Sequence, residues 1–179
     1  QFHQVQKKSA VFDEKKLLWI SQQHLSEMNV RDLMNEIYAL SPGWGDGLEW
    51  DYLKEVVKLI KDRCKTIKEV ATMSELFFTD KIDYDPDLLS KTFNNESIAI
   101  IKDFHTALNT VEDWSRVELE NIFENIMEQH EVVIGKVMKP IRVALSGIPF
   151  GPGIFDLILL LGKDVCLRRL RHTLSELSL

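Results

Sequence analysis

Apolar residues recur along this chain at the spacing of an α-helix and nowhere in a useful run at the alternation of a strand. That periodicity limits the fold more than any other feature. Leu53, Val56, Val57 and Ile60 fall at i, i+3, i+4, i+7, one face of a helix read from Leu48 to about Lys61. Leu17, Leu18, Ile20, Leu25 and Met28 keep a similar period after Asp13, a residue suited to capping a helix from Glu14 to about Met28. Leu33, Met34, Ile37 and Leu40 line a third helix, Val30 to Leu40, which Ser41-Pro42-Gly43 stops. Eight glycines and five prolines in 179 residues leave room for long regular elements. The expected class is all-α.

The rest of the chain reads the same way. Thr66-Ile67-Lys68-Glu69 and Thr72-Met73-Ser74-Glu75 both have the form of a capping box, so each is expected to open a short helix. Asp85-Pro86 places proline at a first helical position. Two further amphipathic helices are expected at Asn95 to Asn109 and Ser115 to His130, the second opened by Ser115 and Glu118 as another box. The last third reads as a helix from Val133 to Leu145, an elbow from Gly147 to Gly153, a helix from Ile154 to Leu161, Gly162 as punctuation, and a helix from Asp164 to about Leu177. The polar stretch Thr79 to Asp87 is the expected boundary between two helical subdomains, 1–80 and 81–179.

Apolar residues make up 45% of the chain and charged residues 28%, the balance of a folded soluble domain. The first residue is Gln1, with no basic-then-apolar leader after it, so a fragment or processed product is expected. The least polar stretch, Val143 to Gly162, is broken by Gly147, Pro149, Gly151, Pro152 and Gly153, and no membrane association is expected. Cys64 and Cys166 have no short-range partner, and reduced thiols in a cytoplasmic protein are the expectation.

The net charge of −6 is unevenly placed. Lys81 to Glu131 holds four Lys/Arg against twelve Asp/Glu, whereas Val133 to Leu179 holds seven against three. Lys136, Lys139 and Arg142 share a helix with the apolar Val137, Ile141 and Leu145, and Lys163, Arg168, Arg169 and Arg171 decorate the last one. Such a basic end attracts polyanions or is simply a solvated face; residues alone leave both open. Glu120, Glu124 and Glu128 share a helix face that phosphates should avoid.

Catalytic signatures are missing. His3, His24, His105, His130, His172 and the two cysteines offer no pair at ligand spacing, so no metal site is expected. Gly147 to Gly153 is not a nucleophile elbow, and no Lys-Ser/Thr follows Gly151-Pro152-Gly153 as a phosphate loop requires.

The segment Val137-Met138-Lys139-Pro140-Ile141-Arg142-Val143-Ala144-Leu145-Ser146-Gly147, continued by Gly151-Pro152-Gly153-Ile154-Phe155-Asp156 and Leu160-Leu161-Gly162-Lys163, closely resembles the C-terminal region of bacterial glutamyl-tRNA synthetases. Phe12-Asp13 with Lys16-Leu17-Leu18-Trp19 resembles the helix that follows that family's catalytic and connecting domains. Arg63-Cys64-Lys65-Thr66-Ile67-Lys68-Glu69 resembles its Arg-x-x-Thr-Leu-x-Glu/Asp segment. The resemblance implies an anticodon-binding region of two helical subdomains forming an α-helix cage. The family's His-Ile-Gly-His-like and Lys-Met-Ser-Lys-Ser-like motifs do not occur here. No catalytic residue and no cofactor is therefore expected in this chain, ATP and Mg belonging to the catalytic domain of a full enzyme.

By the same resemblance, Arg63 falls where discriminating members place an arginine that reads the third anticodon base. Arg142, Gly151, Pro152 and Ile154 fall where the first two bases are received. The chemistry is compatible: unpaired bases are read by edge hydrogen bonds and by stacking on planar groups, guanidinium included. Lys136, Lys139, Lys163 and Arg168 are the candidate contacts to the RNA backbone. The implied partner is glutamate tRNA, not DNA, and the full enzyme is expected to be a monomer. Arg63 has a plain alternative, pairing with Asp62 or Glu69, and Pro152 the plain role of starting a helix. Two competing functions stand beside tRNA binding: a helical adaptor that docks a protein on the Ile148–Phe150 elbow, and the arm of a relaxed-specificity synthetase that also charges glutamine tRNA. Trp19-Ile20-Ser21-Gln22-Gln23-His24 departs from the family's Trp-Met-Asn-Gly-x-Tyr, so Trp19 is expected to be core. Phe150 is either a stacking platform or a plug between subdomains.

Overall fold

The structure, a computed structural model, describes residues 13–177; Phe12 and His3 lie outside the described residues. Ten α-helices follow one another with no strand among the described residues, so the protein is all-α as expected. They are α1 (Glu14–Glu27), α2 (Val30–Leu40), α3 (Trp50–Ile60), α4 (Ile67–Ser74), α5 (Pro86–Thr92), α6 (Asn95–Thr110), α7 (Arg116–His130), α8 (Ile134–Ser146), α9 (Ile154–Leu161) and α10 (Lys163–Glu176). Two 3-10 turns, Lys61–Arg63 and Glu75–Phe77, extend α3 and α4.

Most starts are set by the capping residues visible in the sequence. Asp13, Asn29, Thr66, Asp85, Asn94 and Ser115 each accept a backbone N–H of the first helical turn. Thr72 does not. It lies inside α4, because Val70, Ala71 and Ser74 already commit that helix to a buried face that runs past it. Its expected helix is therefore only the 3-10 turn Glu75–Phe77.

Helices α2, α3 and α4 pack on one another, and the turn Lys61–Arg63 lies against α1. Fully burying Leu53, Val56, Val57 and Ile60 on α3 stabilises this group by about 1.5–3 kcal/mol per side chain. Trp44 closes it, donating from Nε1 to Ser74 Oγ at 2.6 Å, with Tyr38 packed edge-on at 5.2 Å. In the second group α6 is the hub, touching α7, α8 and α10. Phe104, Phe123 and Phe155 interlock there at centroid distances of 5.4 and 4.9 Å. Helix α3 also meets α9, and one continuous cluster of buried side chains runs through both groups.

Trp19 is 61% exposed, with Leu17, Leu18 and Ile20 open beside it, so the expectation of a core tryptophan fails. The physical reason is placement: of the residues on α1, only Leu25 reaches the core. Arg169 departs in the other direction. Expected as decoration on α10, it is 1% exposed.

Candidate nucleic-acid interface

Arg63 sits at the end of a turn that the chain fixes from both sides. Lys61 Nζ donates to the Ser26 and Met28 carbonyls at 2.6 and 3.1 Å, a cation placed on the free carbonyls at the end of α1. Ser21 Oγ donates to the Lys65 carbonyl at 2.7 Å, and the Lys65 N–H donates to Glu69 Oε2 at 2.7 Å. Cys64 is fully buried between these ties. The backbone on either side of Arg63 is thus held while its own side chain is left in solvent.

The elbow after α8 is built by two glycines and an arginine. Gly147 ends the helix at φ +70°, and an added Cβ would stand 2.5 Å from Ile82 Cγ2. Gly151 takes φ +138°, a backbone angle that side chains disfavour. Arg142 reaches across the bend, donating from Nη1 to the Pro152 carbonyl at 2.7 Å. Ser146 Oγ donates to the Arg142 carbonyl at 2.8 Å and accepts from the Ile148 N–H at 3.4 Å, which closes the last turn of α8.

These two constructions face each other. They line one cleft of about 810 Å3, within the usual range for ligand clefts of about 300–1,000 Å3. Arg63, Thr66, Glu69, Thr72 and Leu76 form one wall, and Ser146, Ile148, Phe150 and Gly151 form the other. Arg142 stands behind the elbow, its pKa held below the usual guanidinium value by burial and then by the like charge of Arg63. Neither arginine has a carboxylate partner among the described residues, so the Asp62 or Glu69 pairing open to Arg63 is not formed. Two unneutralised guanidiniums beside one cleft attract an anion or an acceptor-rich edge.

The remaining candidates separate. Ile154 is 3% exposed and Pro152 is buried, so neither side chain can meet a ligand. The Pro152 carbonyl is already taken by Arg142, and Pro152 precedes the first residue of α9 by two positions. Lys163 is also committed: its Nζ donates to the Asn109 and Val111 carbonyls at 3.2 and 2.6 Å, capping α6. Lys136 pairs with Glu96 at 3.1 Å and Arg168 with Asp80 at 2.9 Å, both exposed and open to exchange for another anion. Lys139 is exposed without an ion pair among the described residues. Phe150 is 62% exposed on the rim, which removes the plug reading. Thr66, Thr72, Met73 and Leu76 were missed by sequence reasoning, since nothing local to α4 shows which partner faces it across the fold.

Residues 23–174 match the anticodon binding domain family. The chain belongs to that family. Among relatives of this anticodon-binding domain, a Caldicellulosiruptor saccharolyticus protein named glutamate–tRNA ligase 2 is 30% identical over 179 residues, covering 98% of this chain and 37% of the relative. A Thermodesulfovibrio yellowstonii glutamate–tRNA ligase is 28% identical, covering 96% and 38%. The chain therefore spans well under half of the length of the relatives it matches. The fold is shared with the crystal structure of a glutamate tRNA ligase from Elizabethkingia meningosepticum, at a TM-score of 0.77 and 22% identity, over 92% of this chain and 32% of that one.

Proposed function

We propose that this anticodon-binding domain receives the anticodon loop of glutamate tRNA in the cleft between α4 and the elbow, as the non-catalytic arm of a glutamate–tRNA ligase. One observation carries the reading: Arg63 and the elbow lie more than eighty residues apart yet line the same concave surface, and neither Arg63 nor Arg142 is ion-paired to a carboxylate among the described residues. A single-stranded loop needs such a surface. Its splayed bases offer edges to a fixed guanidinium and faces to an exposed ring, and Phe150 supplies the ring at the rim. The attachment of glutamate to that tRNA with ATP and Mg is assigned to a catalytic domain elsewhere in the full enzyme, whose cytoplasmic, monomeric character is part of the same proposal.

Specificity on this reading comes from Arg63, placed at the third base, and from the elbow at the first two, where Gly151 lets a base approach the backbone. Pro152 and Ile154 contribute by holding that backbone in place rather than by touch. Lys139, with Lys136 and Arg168 after exchange of their surface ion pairs, supplies the phosphate contacts.

The test is binding of the chain to a glutamate-tRNA anticodon stem-loop across a salt titration, with a third-base variant as control. Expected are a steep fall in affinity with salt, from counterion release, and weaker binding of the base variant. Salt-independent binding would instead favour a protein ligand on the Ile148–Phe150 elbow. Equal affinity for both stem-loops would favour relaxed specificity.

A further inference from the structure

Among the described residues Arg169 is the fully buried cation, and no carboxylate there accepts from it. Its Nη1 donates to the Leu145 carbonyl at 2.6 Å, and its Nη2 donates to the Leu76 and Thr79 carbonyls at 2.6 and 2.5 Å. Nε is buried without a partner. All three acceptors are carbonyls at the ends of elements: Leu145 in the last turn of α8, Leu76 in the turn that closes α4, and Thr79 just beyond it. Such ends carry the negative pole of a helix and lack partners within it, which is what makes them able to hold a cation without an acid.

The three bonds fall on both sides of the cleft. Leu76 belongs to the Arg63 wall, and Leu145 adjoins Ser146 of the elbow wall. We infer that Arg169 is a positioning residue for this cleft, setting the spacing and register of its two walls from behind while remaining 1% exposed and out of reach of any ligand. The inference rests on the cleft being the base-reading site. Arginine suits the task because a planar guanidinium presents fixed donors in divergent directions, so one rigid group can bond two backbones at once. A lysine carries one flexible point charge and cannot hold both directions to the same tolerance. Burying a cation is costly, and an apolar residue of similar volume often serves stability as well. A geometric role therefore accounts for this arginine better than a stabilising one. Tyr84 and Thr173 support the same seam: Tyr84 donates to the Ala144 carbonyl at 2.8 Å, and Thr173 Oγ lies 3.2 Å from it.

The test compares Arg169→Met and Arg169→Lys with Leu108→Ala, a core truncation on α6 chosen as a destabilised control. The readouts are affinity for the anticodon stem-loop, discrimination against its third-base variant, and backbone amide chemical shifts. The expected result is a loss of discrimination of about tenfold or more in both Arg169 variants, with the salt dependence unchanged and with Leu108→Ala discriminating like the parent. Amides of Thr72–Leu76 and Ser146–Gly151 should shift together in the Arg169 variants and stay in place in Leu108→Ala. Parental discrimination and unmoved amides in both Arg169 variants overturn the inference, as does an equal loss of discrimination in Leu108→Ala. If the parent itself fails to discriminate, the base-reading proposal falls, and the paired amide shifts alone then decide whether Arg169 sets the walls.

Discussion

Arg142 is the residue where stability and binding can be separated most sharply. Its Nη1 bond to the Pro152 carbonyl at 2.7 Å joins α8 to the start of α9 across the bend. A hydrogen bond to a charged group is worth about 1.5–3 kcal/mol, and leaving a buried acceptor unpaired costs about 1–3 kcal/mol. Arg142 is only half-buried, so water recovers part of that loss, and Arg142→Ala is expected to cost about 1–2 kcal/mol of folding stability. In a domain of this size that lowers Tm by about 2–8 °C. If the same guanidinium also meets a base, affinity for the anticodon stem-loop falls by a further 1–3 kcal/mol, about 5- to 150-fold. Both quantities should be read well below the new Tm, by calorimetric melting and by filter binding at fixed salt. Arg142→Lys keeps the charge but not the fork, so it should retain the salt dependence while losing affinity. A normal Tm in Arg142→Ala would refute the strut; a lowered Tm with parental affinity would leave Arg142 a strut and nothing more.

Four further outcomes follow from the geometry. Lys139→Ala should reduce the slope of log affinity against log salt by about 0.7–1, because Lys139 is free to meet a phosphate, whereas Lys163→Ala should lower Tm and leave the slope alone, because Lys163 caps α6. Gly147→Val should destabilise by about 2–5 kcal/mol in urea unfolding, since φ +70° disfavours a branched residue and its Cβ would meet Ile82; an unchanged midpoint would mean that Ile82 gives way freely. Phe150→Ala should weaken stem-loop binding by about 1–3 kcal/mol without moving Tm, and Phe150→Trp should restore it; a drop in Tm with parental affinity would count against stacking. Burial pushes the Cys64 thiol up to about 11 and the Cys166 thiol up to about 12, so the folded state holds those protons more tightly than the unfolded chain, where thiols titrate near 8.5. Their contribution is complete below about pH 8.5 and is lost as pH rises toward 11 to 12. The urea midpoint should therefore fall between pH 9 and 10.5, and the Cys64→Ala, Cys166→Ala double variant should flatten that fall even though its cavities lower stability at every pH.

Six of the ten helix starts rest on a local interaction, a side chain accepting an N–H two or three residues ahead, whereas α3, α8, α9 and α10 begin without one. Asp13, Thr66, Asp85 and Ser115 needed no knowledge of the rest of the fold. Thr72 shows the limit of that logic, since a capping residue only caps where the preceding helix has already stopped. The elbow was legible from its glycines and prolines, but its contents were not. Which of Gly151, Pro152 and Ile154 face outward depends on what α9 packs against, and Ile154 turns into the core with Leu157 and Ile158. Arg169 was misread although a signal was present. Cys166, Arg169, Leu170 and Thr173 stand at i, i+3, i+4, i+7, the inner face of α10, and all four are buried. The charge of arginine outweighed its position in the reading because buried arginines are rare.

The acidic balance of the molecule bears on the proposed function through placement rather than total. Glu124 and Glu128 stand exposed on α7, and Glu120 is drawn toward Arg116 at 3.8 Å, so the acidic face lies on a helix that contributes nothing to the cleft. At physiological salt a charge is felt over about 8 Å, so the near field of the cleft is set by its own charged lining, Arg63, Lys68 and Glu69, with Arg142 behind the elbow. Acid on one face and unneutralised arginines on another then favour one orientation of an approaching polyanion over its reverse. A uniformly basic domain would hold RNA by any side. Here the acids of α7 stand apart from the cleft arginines and from Lys136, Lys139 and Arg168, so the uneven charge narrows the ways in which RNA can bind.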